Sequence, residues 1–133
     1  MLTIESSKVD VSRNAQEVYN FLIDLNNLEK LMPQERIEYW KSTESTCRFG
    51  IKNLSSIGMK VKEGITPNKI ILESDGKNPF NFTLTIFINE INSAVNSYFV
   101  FEGDVNMFMK AMVQKPLKDF FDTLATNLPG ALS

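Results

Sequence analysis

The sequence predicts an α+β roll, a curved antiparallel sheet wrapped around one long C-terminal helix. Three observations carry this reading. Two short helix-period segments follow directly on a first strand. Five or six strand-like segments then run in succession to about residue 104. One apolar-periodic segment closes the chain, and only that segment is long enough to cover a sheet face. Successive strands joined by short turns pair antiparallel. Their apolar face has to be covered, and a helix of about 20 residues spans roughly 30 Å. A closed barrel would not follow its first strand with two helices. The expected order is β-α-α-β5/6-α in a single domain, 1–133.

The first strand runs from about Leu2 to Val11. Its alternation slips near Ser6-Ser7, as at a bulge. Ser12 or Asn14 can cap the next helix, with Glu17 in its first turn. Val18, Phe21, Leu22 and Leu25 follow at spacings of three and four, an amphipathic face. Asn26-Asn27 interrupts, Leu28, Leu31 and Met32 form a second short turn of helix, and Pro33 closes it.

Ile37 to Lys41 reads as a short strand. In Thr46 to Lys52, Cys47, Phe49 and Ile51 alternate to one face. After a turn at 53–56, Ile57, Met59 and Val61 alternate with Gly58, Lys60 and Lys62. Thr66-Pro67-Asn68 turns the chain, Ile70 to Ser74 follows, and residues 75–79 form a long turn. FNFTLTIFI is the strongest strand, with Phe80, Phe82, Leu84, Ile86 and Ile88 on one face. A turn over 89–93 leads to a last strand, Asn96 to Gly103, with Phe99 and Phe101 inward.

The closing helix starts at Asn106, a residue suited to the N-cap, and carries NMFMKAMVQKPLKDFF. Three of the six methionines of the chain, Met107, Met109 and Met112, fall in this stretch. Methionine fills irregular gaps and adapts its shape. Pro116 predicts a kink or break between Ala111 and Lys115, and Pro129-Gly130 predicts the end of the helix.

Composition excludes several functions. The chain is 43% hydrophobic and 23% charged, with a net charge of −2. That balance suggests neither nucleic acid nor an anionic membrane as partner. No stretch reaches the roughly 20 apolar residues of a spanning helix, so no stable membrane insertion is expected. There is no histidine and one cysteine. Ordinary zinc sites, the usual haem ligation and a Ser-His-Asp triad are therefore not available. No metal, no cofactor and no catalytic constellation is expected. The lone Cys47, with no signal peptide in view, suggests a reducing, cytoplasmic setting.

Two stretches resemble the START/Bet v 1-like superfamily, the helix-grip fold with its polyketide cyclase and lipid-transfer relatives. VDVSRNAQEVYNFLIDLNNLEKLMP is similar to the opening strand and helix of that family. FVFEGDV…MFMKAMVQKPLKDFFDTLATNL is similar to its last strand and closing helix. The resemblance spans nearly the whole chain and is closest to compact bacterial members. The Gly-rich loop that Bet v 1 proteins carry after their second strand is missing here, so nothing about that loop transfers.

The resemblance implies a deep apolar cavity between the sheet and the closing helix. Its sheet wall would be Phe49, Ile51, Ile57, Met59, Ile70, Leu72, Phe82, Leu84, Ile86, Phe99 and Phe101. Its helix wall would be Met109, Met112, Leu117, Phe120 and Phe121, with the half before Pro116 as a lid. Tyr19, Tyr39, Cys47 and Tyr98 are the polar groups that could orient a guest. Alternation sends Tyr39 and Trp40 to opposite faces without saying which points inward. If Trp40 does, Glu38 would follow it, partnered by Arg36, Arg48 or Lys41.

Three functions remain open, with the oligomeric state undetermined. One is a binder or carrier of a small apolar ligand such as a lipid, sterol or polyketide-like molecule. Another is a cyclase- or dehydratase-type enzyme, which needs an ionisable group in the cavity. The third is an interaction module, with a filled interior and an exposed apolar patch near Met107, Phe108 and Phe87. The carrier reading requires that sheet and helix fail to meet completely. An interior with no vacancy larger than a water molecule counts against it.

Overall fold

The slip at Ser6-Ser7 is a true interruption of the strand. In the computed structural model, which describes residues 1–132, the first strand divides into β1 (Leu2–Glu5) and β2 (Val9–Val11). Both pair antiparallel with one partner, β8 (Ala94–Gly103). Ser6 bridges the gap. Its N–H donates to the Phe99 carbonyl at 2.8 Å, and its Oγ accepts from the Phe99 N–H at 2.9 Å. A side chain thus stands in for a missing backbone group, which is why a serine can be buried here.

Helix α1 (Ala15–Ile23) is capped by Asn14 and not Ser12. The Asn14 Oδ1 accepts from the Glu17 N–H at 2.9 Å. Glu90 accepts from the Ala15 N–H at 2.6 Å, so a second donor of the first turn is also satisfied. Leu25–Leu31 then forms a 3-10 helix capped by Asp24. Leu25, Leu28 and Leu31 recur every three residues, and all are buried. Three per turn is the 3-10 period, so these leucines stack on one side.

The remaining strands are β3 (Ile37–Ser42), β4 (Thr46–Ile51), β5 (Ser55–Ile65), β6 (Lys69–Ser74) and β7 (Phe82–Ile91). With β8 they form an antiparallel meander in the order β1-β8-β7-β6-β5-β4-β3, and β2 extends along β8. Three boundaries depart from the sequence reading. Strand β5 begins at Ser55, inside the expected turn, because Ser55 and Ser56 pair with Ile51 and Gly50. Phe80 precedes β7 instead of opening it. At its far end β7 runs on to Ile91, and the turn shrinks to Asn92-Ser93, both with positive φ, 51° and 70°. A two-residue hairpin of that hand matches the twist of its strands.

Helix α2 (Met107–Ala131) is capped by Asn106, whose Oδ1 accepts from the Met109 N–H at 2.8 Å. It is continuous through Pro116 and ends beyond Pro129-Gly130, correcting the expected break and stop. Pro116 lies on the exposed side, so the carbonyl it leaves without a partner faces water and its loss costs little. The inner side of α2, formed by Val113, Leu117, Phe120, Phe121, Leu124 and Leu128, packs into the concave face of the sheet. Asp122 ties α2 to the strand interruption, accepting from the Ser7 N–H at 2.7 Å.

Candidate functional site

The concave face holds a stack of rings. Trp40 lies on Phe49 with centroids 5.5 Å apart, and Phe49 lies on Phe120 at 5.9 Å. A second stack runs from Phe82 to Phe101 at 5.5 Å and on to Phe121 at 5.4 Å. Phe120 meets Phe121 edge-on at 5.6 Å and joins the two. Offset and edge-on pairs of this kind are favourable beyond their burial.

Between the stacks lies one enclosed vacancy of about 20 Å³. It is lined by Phe49, Ile51, Ile57, Met59, Phe80, Phe82, Leu84, Phe101, Leu117, Phe120, Phe121 and Leu124. The size corresponds to roughly one water molecule, and with no polar group on its wall it has nothing to hold a water. The expectation that sheet and helix fail to meet is therefore not met. The rings of Phe49, Phe80, Phe82, Phe101, Phe120 and Phe121 fill the space that the aromatic sheet face suggested would stay open.

Nine of the fifteen residues expected at a ligand site line this vacancy: Phe49, Ile51, Met59, Phe82, Leu84, Phe101, Leu117, Phe120 and Phe121. Leu72 and Phe99 are buried core beside it. Trp40 sits one ring behind Phe49. Met109 is half-buried against the core at the start of α2. Met112 and Tyr39 are corrections. Met112 is 63% exposed, alongside Met107 at 88% and Phe108 at 78%. All three project into solvent from the outer side of the first turns of α2. Phe80 and Leu124 were not expected at the site. Phe80 packs edge-on against Phe82 and Phe101 at 6.3 and 5.9 Å from the loop before β7.

A bulge decides the question of Tyr39 and Trp40. The register of β3 on β4 slips between Ile37 and Trp40. Ile37 and Trp40 therefore both face the core, although three residues apart. Glu38 and Tyr39 face out and are exposed, so the expected buried carboxylate does not form. Tyr39 lies over Gly50 and bonds to Ser56 through its hydroxyl. Tyr19 covers Gly64. Tyr98 stacks on Phe87 at 5.0 Å on the outer face, with Lys8 and Lys69 over the pair. Cys47 is buried but does not line the vacancy. Burial pushes its thiol up to about 12, against a smaller opposing pull from Arg48. None of these polar groups lines the space. Among the described residues no cluster of three or more Cys, Asp and Glu could hold a metal ion. No helix among them is long and apolar enough to cross a membrane.

The enclosure is uneven. Phe49, Leu84 and Leu124 are 1% exposed, whereas Ile51 and Phe80 keep 8% and Ile57, Phe82 and Phe121 keep 6%.

No family model matches the chain, and neither does any curated protein. Solved structures do. A protein of Thermus thermophilus is 12% identical, with a TM-score of 0.76, over 98% of this chain and 97% of that one. A START superfamily protein from Mycobacterium smegmatis is 14% identical, with a TM-score of 0.70, over 98% and 96%. The di-domain ARO/CYC BexL from the BE-7585A biosynthetic pathway is 12% identical, with a TM-score of 0.65, over 96% of this chain and 46% of that one. The chain has the START/Bet v 1-like helix-grip fold.

Proposed function

We propose that the protein binds a small apolar molecule between β4, β5, β7, β8 and α2, and that it does so by opening. The observation that carries this reading is an all-apolar vacancy whose helix wall, Leu117, Phe120, Phe121 and Leu124, follows directly on the loosely fastened first half of α2. Of the ten residues 107–116, only Val113 is buried and only Met109 is half-buried. Swinging that half outward uncovers Val113 and part of Leu117, at about 3–5 kcal/mol. Burying about 300 Å² of apolar guest returns ~7 kcal/mol before association costs. The margin is narrow, so binding is reversible and favours guests that use the whole space. The fold, shared with START superfamily and ARO/CYC structures, supports the reading.

A second reading has its own support. A filled interior with Met107, Phe108 and Met112 exposed is what an interaction module presents. Native mass spectrometry of protein purified from its own host separates the two. A co-purifying guest, together with a change in Trp40 emission when delipidated protein meets fatty acids, sterols or polyphenols, supports the carrier. Guest-free protein with unmoved Trp40 emission throughout leaves the interaction module.

A further inference from the structure

The outer face of the sheet carries a cluster of cations that folding alone does not account for. Arg48 points outward from β4, since its neighbours Cys47 and Phe49 are buried in the core. Lys41 stands directly opposite it on β3. The register slip of β3 lies before Trp40, so Lys41 shares the Arg48 face. Like charges directly opposite one another across two strands are destabilising. The next outward row shows the usual solution, Lys60 of β5 opposite Glu73 of β6. Lys77, in the loop after β6, lines one recess with Arg48, Ser55, Ser56, Asn78 and Pro79, about 370 Å³ in volume. A chain with 16 acids and 14 bases thus gathers three cations in one place.

The guanidinium is held in place. Gly58, opposite Arg48 on β5, leaves the space that it occupies, and a Cβ there would collide with it. Its Nη1 donates to Ser56 Oγ at 3.0 Å and its Nη2 to the Asp75 carbonyl at 2.7 Å. Ser56 also bonds to the Tyr39 hydroxyl. Asn78 fixes the loop by donating to the carbonyls of Gly58 and Asp75 and accepting from the Gly58 N–H. Three of the five guanidinium N–H groups have no partner among the described residues. Among those residues none of the four ion pairs includes Lys41, Arg48 or Lys77. Asp75 meets Arg48 through its backbone and not its carboxylate. Glu38 stands by Gly50, two residues further along β4. A fixed, half-buried guanidinium with two ammonium groups and a serine hydroxyl around it, and no countercharge, fits a doubly charged oxyanion.

We infer that this recess binds the phosphate group of a small soluble phosphate monoester, held at Arg48 and flanked by Lys41 and Lys77. The site lies on the opposite face of the sheet from the apolar vacancy and does not depend on the proposed carrier function. A soluble ester is favoured over a lipid headgroup because the recess is concave and none of the exposed Met, Ile and Phe side chains lines it. It therefore offers nothing to insert among lipid tails.

The test titrates the full chain, labelled with nitrogen-15, with inorganic phosphate, phenyl phosphate and benzoate at constant ionic strength. The backbone amide signals of Ser56, Gly58 and Lys77 are followed by NMR. Both phosphates are expected to saturate these signals and to bind about tenfold tighter than benzoate. Lys41→Met and Lys77→Met, at exposed side chains that hold nothing in place, should each weaken phosphate binding about threefold and leave the rest of the spectrum unchanged. Shifts that grow linearly with every anion, equal affinity for phosphate and benzoate, or a phosphate affinity unmoved in both lysine variants would each overturn the inference. Retention on vesicles containing phosphatidic acid, with no response to phenyl phosphate, would place the partner in a membrane and overturn it as well.

Discussion

Phe120→Ala tests whether rings fill the interior. Phe120 is buried, stacked on Phe49 at 5.9 Å and edge-on to Phe121 at 5.6 Å. Losing the ring forfeits about 2 kcal/mol of transfer free energy. It leaves roughly 80 Å³ unfilled beside the existing vacancy, worth about 2 kcal/mol more at 24 cal/mol per Å³. The total is about 4 kcal/mol. With a urea m-value near 1.5 kcal/mol per M, the midpoint should fall by roughly 2.5 M. Trp40, the only tryptophan, lies one ring beyond Phe49 and reports the transition. A dry apolar cavity of that size takes up benzene. At ten times its dissociation constant, benzene should restore about 1.4 kcal/mol, or about 1 M of midpoint, in the variant and nothing in the parent. A loss below about 1.5 kcal/mol with no benzene effect would refute this packing.

The other expectations concern the helix start, the thiol and the acid limb. Phe108→Ser and Met112→Ser should each change stability by no more than about 0.5 kcal/mol by urea denaturation. Leu128→Ala, in the same helix but fully buried, should cost roughly 2–5 kcal/mol. A loss above about 2 kcal/mol at Met112 would restore it to the interior wall. Cys47, raised to about 12 chiefly by burial, should resist a thiol reagent at a pH of about 8 in the native state and react at once in urea. Rapid native labelling would contradict its placement. Burial alone would raise the Asp122 carboxyl, but bonds from Lys118 and Ser7 outweigh it and hold it below the ordinary value. Its contribution is therefore complete above the unfolded pKa of about 3.9 and is lost as pH falls through the lower folded value. The advantage of the parent over Asp122→Asn should be flat above a pH of about 5 and shrink below about 4. An advantage that grows on acidification would reverse the sign.

Spacing made the inner side of α2 legible. Val113, Leu117, Phe120, Phe121, Leu124 and Leu128 follow each other at helical intervals, and counting back four from Val113 reaches Met109, the one methionine of the stretch that is half-buried. Met112 and Phe108 stand out of phase with that row. Their apolar character suggested a wall that their positions deny. The bulge in β3 was not legible, because a register slip changes no residue type, and it alone decides that Trp40 faces in with Ile37. Strand order followed from short turns. The size of the vacancy depended on how the phenylalanine rings turn, which no pattern along the chain records.

The most direct test of apolar guest binding uses the methionine methyl groups as local probes. Met59 lines the vacancy, while Met107 and Met112 stand in water on the outside of α2. With the methyls labelled with carbon-13, 1-dodecanol is added and each signal followed by NMR. A guest held between sheet and helix shifts Met59 first and furthest and leaves Met107 nearly still. Movement of Met107 and Met112 with Met59 unchanged would put the guest on the surface and contradict the account.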